Sequence, residues 1–458
     1  MTAIDVGEAP VLAGMRPPQA RPPKRARGGA VADHPMENLP LAAYEQPIWR
    51  QPTLITRAWL VNEPAAIKRV LIDNVANYPK MDMENRFFRA VFGDGLLSLE
   101  GERWRSHRRI MAPSFDPRSV AGYGAAMSAA SAEFGDAWAK LGDGAEIDIS
   151  AEMTRLTLEI ICRTAFSGDA AEMVELTGLA FHATNEAFQF NLLDIVPVIG
   201  AMRLRQREKI FGEIFAPLDG ALHRLIEQRR ANPGKLDLLG RLVAALDEET
   251  GARLTTQEVR DEVLTIFVAG HETTASAMTF IWYVLSHYSA WEARLHAELE
   301  AVLGGRTPTE ADLPELKVTR RIVEESMRLY PPAPGLSARV ARQADTLCGV
   351  RIPKGGLIVL SSWVLHRHRA LWDDPEKFDP DRFLPERSVG RPRFAYLPFG
   401  GGPRVCIGQM MAMQEATLIL ATLAQRFRLR LRPGYRVAIQ HNVTIRPKDG
   451  LPMRIERR

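Results

Sequence analysis

One long helix constrains the fold of this chain more than any other feature. It starts at "LTTQEV", where Thr255 followed by Glu258 has the spacing of a capping box. Apolar residues then continue to His287, roughly 32 residues or 48 Å at 1.5 Å per residue. The middle, "FVAGHETTASA", is apolar but interrupted by Gly270 and a few polar groups. Such a helix belongs in the interior of a large protein. No stretch reaches about 18 uncharged apolar residues, so nothing reads as a membrane span. With 458 residues, 46% hydrophobic and 25% charged, the chain can bury a large core around it.

Helical periodicity dominates from Glu102 to Ser286, with breaks at Pro197, Gly200 and "RANPGKLD". Upstream, "ITRAWLVN" reads as a strand, Pro64 opens a short helix, and residues 79–99 read as irregular. Downstream, a helix over Leu313–Leu329 ends before Pro331 and Pro332. Short strands follow in "GVRIPKGGLIVLS", then a final helix from about Cys406 to Arg426 and closing strands. The expectation is a mainly α protein with a small β-rich region. Residues 1–40, rich in Pro and Arg, read as a flexible tail, and 41–458 as one domain. The longest apolar run of the tail, "APVLAGM", is too short for a signal-peptide core. A net charge of +4 is too weak to argue for nucleic acid. Cys162, Cys348 and Cys406 are the three cysteines, too few for a four-cysteine zinc or iron–sulfur site and in no CxxC pair.

Four constellations carry chemistry. In "FGGGPRVCIG", Phe399–Gly408, three glycines let the backbone bend tightly and approach a flat ligand, and a helix start at or just after Cys406 would favour thiolate. Arg404, two residues before the cysteine, can fork onto a carboxylate. In "ESMR", Glu325 and Arg328 share a helix face and can pair. In "AGHETT", Gly270 permits close approach or a bulge, Thr273 offers a hydroxyl, and Glu272 can relay protons. In "GERWRSHRR", Trp104 and Arg108 lie at i and i+4, among Arg103, Arg105 and Arg109.

These segments resemble, in order, the motifs of the cytochrome P450 family. The Cys406 segment matches Phe-x-x-Gly-x-Arg-x-Cys-x-Gly at every fixed position. "FDPDRF" matches the family's Phe-x-Pro-x-Arg-Phe and contributes Arg382. The resemblance implies one large helical domain with haem (heme b) between the long helix and the helix after the cysteine. It implies Cys406 as iron ligand, Phe399 near the sulfur, and a buried Glu325–Arg328–Arg382 network supporting the loop. Arg404, Trp104 and Arg108 become propionate partners, with His107 and Arg339 weaker candidates. Thr273 and Glu272 deliver protons to dioxygen, with Gly270 beside the cofactor and His271 an ordinary helix residue.

The implied reaction is monooxygenation of a hydrophobic substrate such as a fatty acid, terpenoid or steroid. By family position its pocket takes Phe87, Phe88, Phe92, Phe188, Phe190, Leu193, Phe267, Ala269, Ala333, Leu336 and Val443. The segment after Cys406 is too short for a flavin reductase. NAD(P)H electrons are therefore expected through a separate partner, a ferredoxin with its reductase; the Arg103–Arg105–Arg109 patch reads equally as the docking face of an acidic donor and as a plain solvated face. A cytoplasmic monomer is expected. A peroxide-using enzyme or isomerase on this fold, and a haem sensor without turnover, stay open as alternatives.

Overall fold

The computed structural model describes residues 12–14, 39–52, 57–167, 171–177, 197–235, 237–441 and 443–458. The helices that build the site are α1 (Asp82–Phe92), α2 (Gly101–Met111), α3 (Pro117–Leu141), α4 (Ile149–Phe166), α5 (Pro197–Ala231), α6 (Thr256–Leu285), α7 (Lys317–Leu329) and α8 (Gln409–Ala424). The expected capping box forms: Thr255 Oγ1 accepts from the Glu258 N–H at 3.2 Å, and Glu258 Oε2 accepts from the Thr255 N–H at 3.0 Å. From that start α6 runs unbroken through the core and packs on α4, α5, α7 and α8. Burial along most of its length explains its apolar composition.

A four-stranded sheet lies to one side, built from β1 (Ile48–Gln51), β2 (Ala58–Val61), β3 (Arg339–Val340) and β4 (Leu357–Val359) in the order β1-β2-β4-β3. β1 and β2 are antiparallel, β2 and β4 parallel with Ala58 opposite Leu357, and β3 and β4 antiparallel. The segment before α1 adds to the free edge of β3. The Val340 N–H donates to Pro79 O at 3.0 Å and the Met81 N–H to Ala338 O at 3.0 Å. Lys80 is thereby set opposite Arg339. A C-terminal hairpin of β5 (Ile439–His441) and β6 (Ile445–Pro447) docks on α6, with Ser276 Oγ donating to Ile445 O at 2.7 Å.

Four expectations need correction. Residues 82–92 are helical, not irregular: Asp82 and Glu84 suit the first turn, and Gly93 at φ +79° stops the helix. The segment from Leu313 splits, because Pro314 disfavours helix at the residue before it; a turn at Glu310–Asp312 precedes α7. The helix after the cysteine starts at Gln409, three residues beyond Cys406. Finally, residues 12–14 of the expected tail are docked. Leu12 is buried, the Ala13 N–H donates to Tyr283 Oη at 2.9 Å, and Tyr330 Oη donates to Ala13 O at 2.7 Å. Pocket candidates Phe188, Phe190 and Leu193 lie outside the described residues.

Because Leu12 inserts into the main core, Leu12→Ala is expected to cost about 2–5 kcal/mol. The check is the urea midpoint, which should fall with the slope unchanged.

Candidate active site

The cysteine loop closes on itself before α8 begins. The Cys406 N–H donates to Phe399 O at 2.9 Å, and the Val405 N–H to Gly402 O at 3.1 Å. Gly402 is left-handed at φ +73°, and a Cβ there would collide with Leu71 O. Any other residue would push the loop off the short helix segment that carries Leu71. Cys406 is reached by solvent although protein surrounds it closely. Burial pushes its thiol up, against the Gly408 N–H and the Arg108 cation, which pull it down. One backbone N–H, that of Gly408, reaches the sulfur, and α8 starts three residues beyond Cys406.

The charged network beneath the loop forms as expected and connects to it through His366. Arg328 grips Glu325 with two bonds, Nε to Oε2 at 2.7 Å and Nη2 to Oε1 at 2.8 Å. Its remaining N–H groups reach His366 O at 2.8 Å, Pro375 O at 2.7 Å and Lys377 O at 3.0 Å. Arg382 sits 3.4 Å from Glu325 and donates to Asp374 O at 2.7 Å. His366 Nδ1 faces Arg328 O at 3.3 Å, while Nε2 accepts the Leu397 N–H at 2.8 Å, two residues before Phe399. Burial pushes the His366 pKa well down, which keeps Nε2 free as an acceptor. Breaking a buried pair of this kind costs about 3–5 kcal/mol, because the survivor is left uncompensated.

Cations gather on the other side of the loop. The Arg404 guanidinium lies 4.2 Å above the Trp104 ring, pairs with Glu100 at 2.7 Å and donates to Leu99 O at 3.1 Å. Arg339 is buried with Nε unpartnered. Arg108, half-buried, has no carboxylate partner among the described residues. Lys80 joins them: its ammonium donates to Leu97 O and lies 4.0 Å from Glu100. Burial, then Arg404, lowers its pKa to about 8. Sequence reasoning missed Lys80, since only its bridge to Arg339 brings it here. A buried donor without a partner and several crowded cations call for anionic groups, and the two carboxylates of a haem fit that need. His107 does not take part. Its Nδ1 meets Glu262 Oε1 at 2.7 Å and its Nε2 lies 3.5 Å from Glu258, so carboxylates of α6 occupy both nitrogens. The basic patch is also neutralised: Arg103 pairs with Asp94, Arg105 with Glu102 and Arg109 with Asp247.

On α6, Ala269 is exposed and Glu272 and Thr273 are half-exposed, within a helix otherwise buried at its centre. The Thr273 hydroxyl donates to Ala269 O at 2.6 Å, and Thr444 Oγ1 of the hairpin donates to Glu272 Oε1 at 2.6 Å. A Cβ at Gly270 would meet Ile161 of α4 at 3.5 Å, an ordinary contact, and no bulge occurs there. His271 is buried with Nδ1 on Phe267 O at 2.6 Å. Two pocket candidates are core residues: Phe267 packs edge-on against Phe166 at 5.0 Å, and Phe92 stacks on Phe88 at 6.2 Å. Phe87, Phe88 and Ala333 are half-buried, Leu336 lies beside Gly400, and Val443 is exposed next to Thr444. Glu415 of α8 was not foreseen as a titrating group. It is buried against Thr274, with one oxygen unpartnered, and burial raises it to about 8 despite the Thr274 hydrogen bond.

The family model that matches the chain is that of cytochrome P450, over residues 38–451. Cyclooctatin synthase of Streptomyces melanosporofaciens is 36% identical, over 83% of this chain and 82% of its own. Pentalenene oxygenase of Streptomyces avermitilis is 34% identical, over 82% and 83%. The crystal structure of the haem domain of cytochrome P450DA superposes with a TM-score of 0.81 at 27% identity, covering 98% of both chains.

Glu415 predicts a pH signature. Its carboxyl titrates near 4.5 when unfolded and at about 8 when folded. The neutral form therefore stabilises the fold at low pH, and this contribution is lost as pH rises through about 8. Glu415→Gln should remove that dependence. The melting temperature of wild type relative to the variant should fall between about pH 5 and about pH 9.

Proposed function

Because the chain belongs to the cytochrome P450 family and is a haem-thiolate monooxygenase, we propose specific roles for its residues. Cys406 is the iron ligand. Arg404, Arg339, Arg108 and Lys80 hold the cofactor carboxylates, with Trp104 stacked beneath Arg404. When bound, haem supplies the activation of O2, with one oxygen atom inserted into the substrate and the other leaving as water.

The observation that carries the catalytic assignment is the half-exposed Glu272–Thr273 pair in a buried helix. With its hydrogen on Ala269 O, the Thr273 hydroxyl turns its lone pairs outward and orients a water as an acceptor. Glu272, steadied by Thr444, is the carboxylate that passes protons to that water from the hairpin side. This pair favours O2 activation over the isomerase, peroxide-using and sensor readings.

The substrate is a bulky apolar molecule, and we favour a cyclic terpenoid hydrocarbon over a fatty acid. Pentalenene, named for one relative, belongs to that class. The small, exposed Ala269 and the partly exposed apolar side chains of Phe87, Phe88 and Leu336 are the lining we assign to it, and a small residue on α6 suits a wide ligand more than a thin chain. Electrons come from NAD(P)H through a ferredoxin and its reductase, and the protein acts as a cytoplasmic monomer. No helix among the described residues is long and apolar enough to cross a membrane.

Reduced wild type with carbon monoxide should show the red-shifted Soret band of thiolate ligation, and Cys406→Ser should lose it while Cys162→Ser keeps it. A histidine-type spectrum in wild type would overturn the ligand assignment. With ferredoxin and reductase supplied, Thr273→Ala should lower product per NAD(P)H consumed by roughly 10²-fold; an unchanged ratio excludes the proton role. In spin-state titrations, cyclic terpenes should bind more tightly than fatty acids of equal carbon number, and the reverse order would refute the substrate class.

A further inference from the structure

Two adjacent buried carboxylates on α6, Asp261 and Glu262, are not used by the reaction, yet all four of their oxygens are engaged. Asp261 Oδ2 accepts the Asp94 N–H at 2.8 Å, and Oδ1 accepts from Gln257 at 2.8 Å and Arg260 at 2.9 Å. Glu262 Oε2 accepts the Leu96 N–H at 3.1 Å, and Oε1 meets His107 of α2 at 2.7 Å. Two backbone donors of one strap, residues 93–99, are thus fastened to one turn of α6. Glycines permit the contact: a Cβ at Gly93 would strike the Asp261 carboxylate, and one at Gly95 would strike Thr265 Oγ1.

The far end of the strap meets the cation cluster. Leu97 O accepts from Lys80, and Leu99 O accepts from Arg404 at 3.1 Å. His107 shares α2 with Trp104 and Arg108, so Glu262 fixes that helix as well. Arg260 extends the connection to α5 by gripping Asp219 with bonds of 2.8 and 2.7 Å.

We propose that Asp261 and Glu262 are positioning residues for the cofactor. Acting through the strap and α2, they hold Lys80, Arg404 and Arg108 where those cations meet the haem carboxylates. This rests on the assignment of those cations as carboxylate partners. The hub also links the cofactor grip to α5, so displacement of α5 is felt at Lys80 and Arg404.

The test is the rate at which the ferric holoenzyme gives up haem to excess apomyoglobin. Asp261→Ala and Glu262→Ala should each release haem on the order of tenfold faster than wild type. Glu262→Gln, whose amide oxygen still accepts from Leu96, should lie closer to wild type. The control is Glu292→Ala, which removes a buried carboxylate paired with half-buried Arg430, outside the strap and the cation cluster, and should destabilise the protein without speeding release. If the alanine hub variants do not fold, Gly93→Ala gives the same readout, since its Cβ displaces the strap while both carboxylates remain. Release no faster than in Glu292→Ala overturns the proposal. The carbon monoxide spectrum separates the two levels: a thiolate band with unchanged release rates sinks the hub alone, and a wild type without that band sinks the cofactor reading beneath it.

Discussion

Everything at the site hangs from the buried Glu325–Arg328 pair. A guanidinium in the interior is tolerated only when each N–H finds an acceptor. Arg328 meets that demand with one carboxylate and three backbone carbonyls drawn from residues 366–377. The pair therefore converts a local i,i+3 contact on α7 into a fixed position for a long, irregular stretch of chain. His366 carries that position onward to Leu397, and Leu397 precedes the Cys406 loop directly. A loop rich in glycine has high entropy when free, so its order has to come from such neighbours.

The cations on the other face obey a different rule. Burial disfavours the charge of Lys80, Arg339, Arg404 and Arg108, and at Lys80 and Arg404 repulsion from neighbouring cations adds to it. What steadies them is fixed dipoles and single anions: the strap carbonyls, the face of Trp104 and Glu100. Such a cluster gains most when anionic ligand groups arrive. Asp261 and Glu262 of α6 are taken up instead by backbone N–H groups, His107, Gln257 and Arg260, holding the scaffold while leaving the cations available.

The long helix joins these parts. One turn bears Asp261 and Glu262, the next turns carry Ala269 to Thr274, and Ser276 receives the C-terminal hairpin. Because α6 is buried and capped at Thr255, these positions keep fixed spacings. Thr274 and Glu415 then lock its back to α8, the helix that follows the cysteine loop. Both faces of the site are therefore referred to a single rigid element.

Much of this was legible beforehand, for reasons tied to spacing. The capping box, the Glu325–Arg328 pair and the Gly-rich loop around Cys406 depend on residues near one another in the chain, so sequence alone determined them, along with the mainly α class and the family. Tertiary structure decided the rest. His107 sits one turn from Trp104 yet turns to α6, because buried Glu262 and partly exposed Glu258 there take both of its ring nitrogens. Phe92 and Phe267 are core because their neighbours Phe88 and Phe166 cover them. Lys80 becomes a site residue only because a strand edge places it opposite Arg339, and Glu415 is pushed toward the neutral acid by burial, with no cation against it among the described residues. Burial and long-range pairing set those properties, and neither is written in the spacing of residues along the chain.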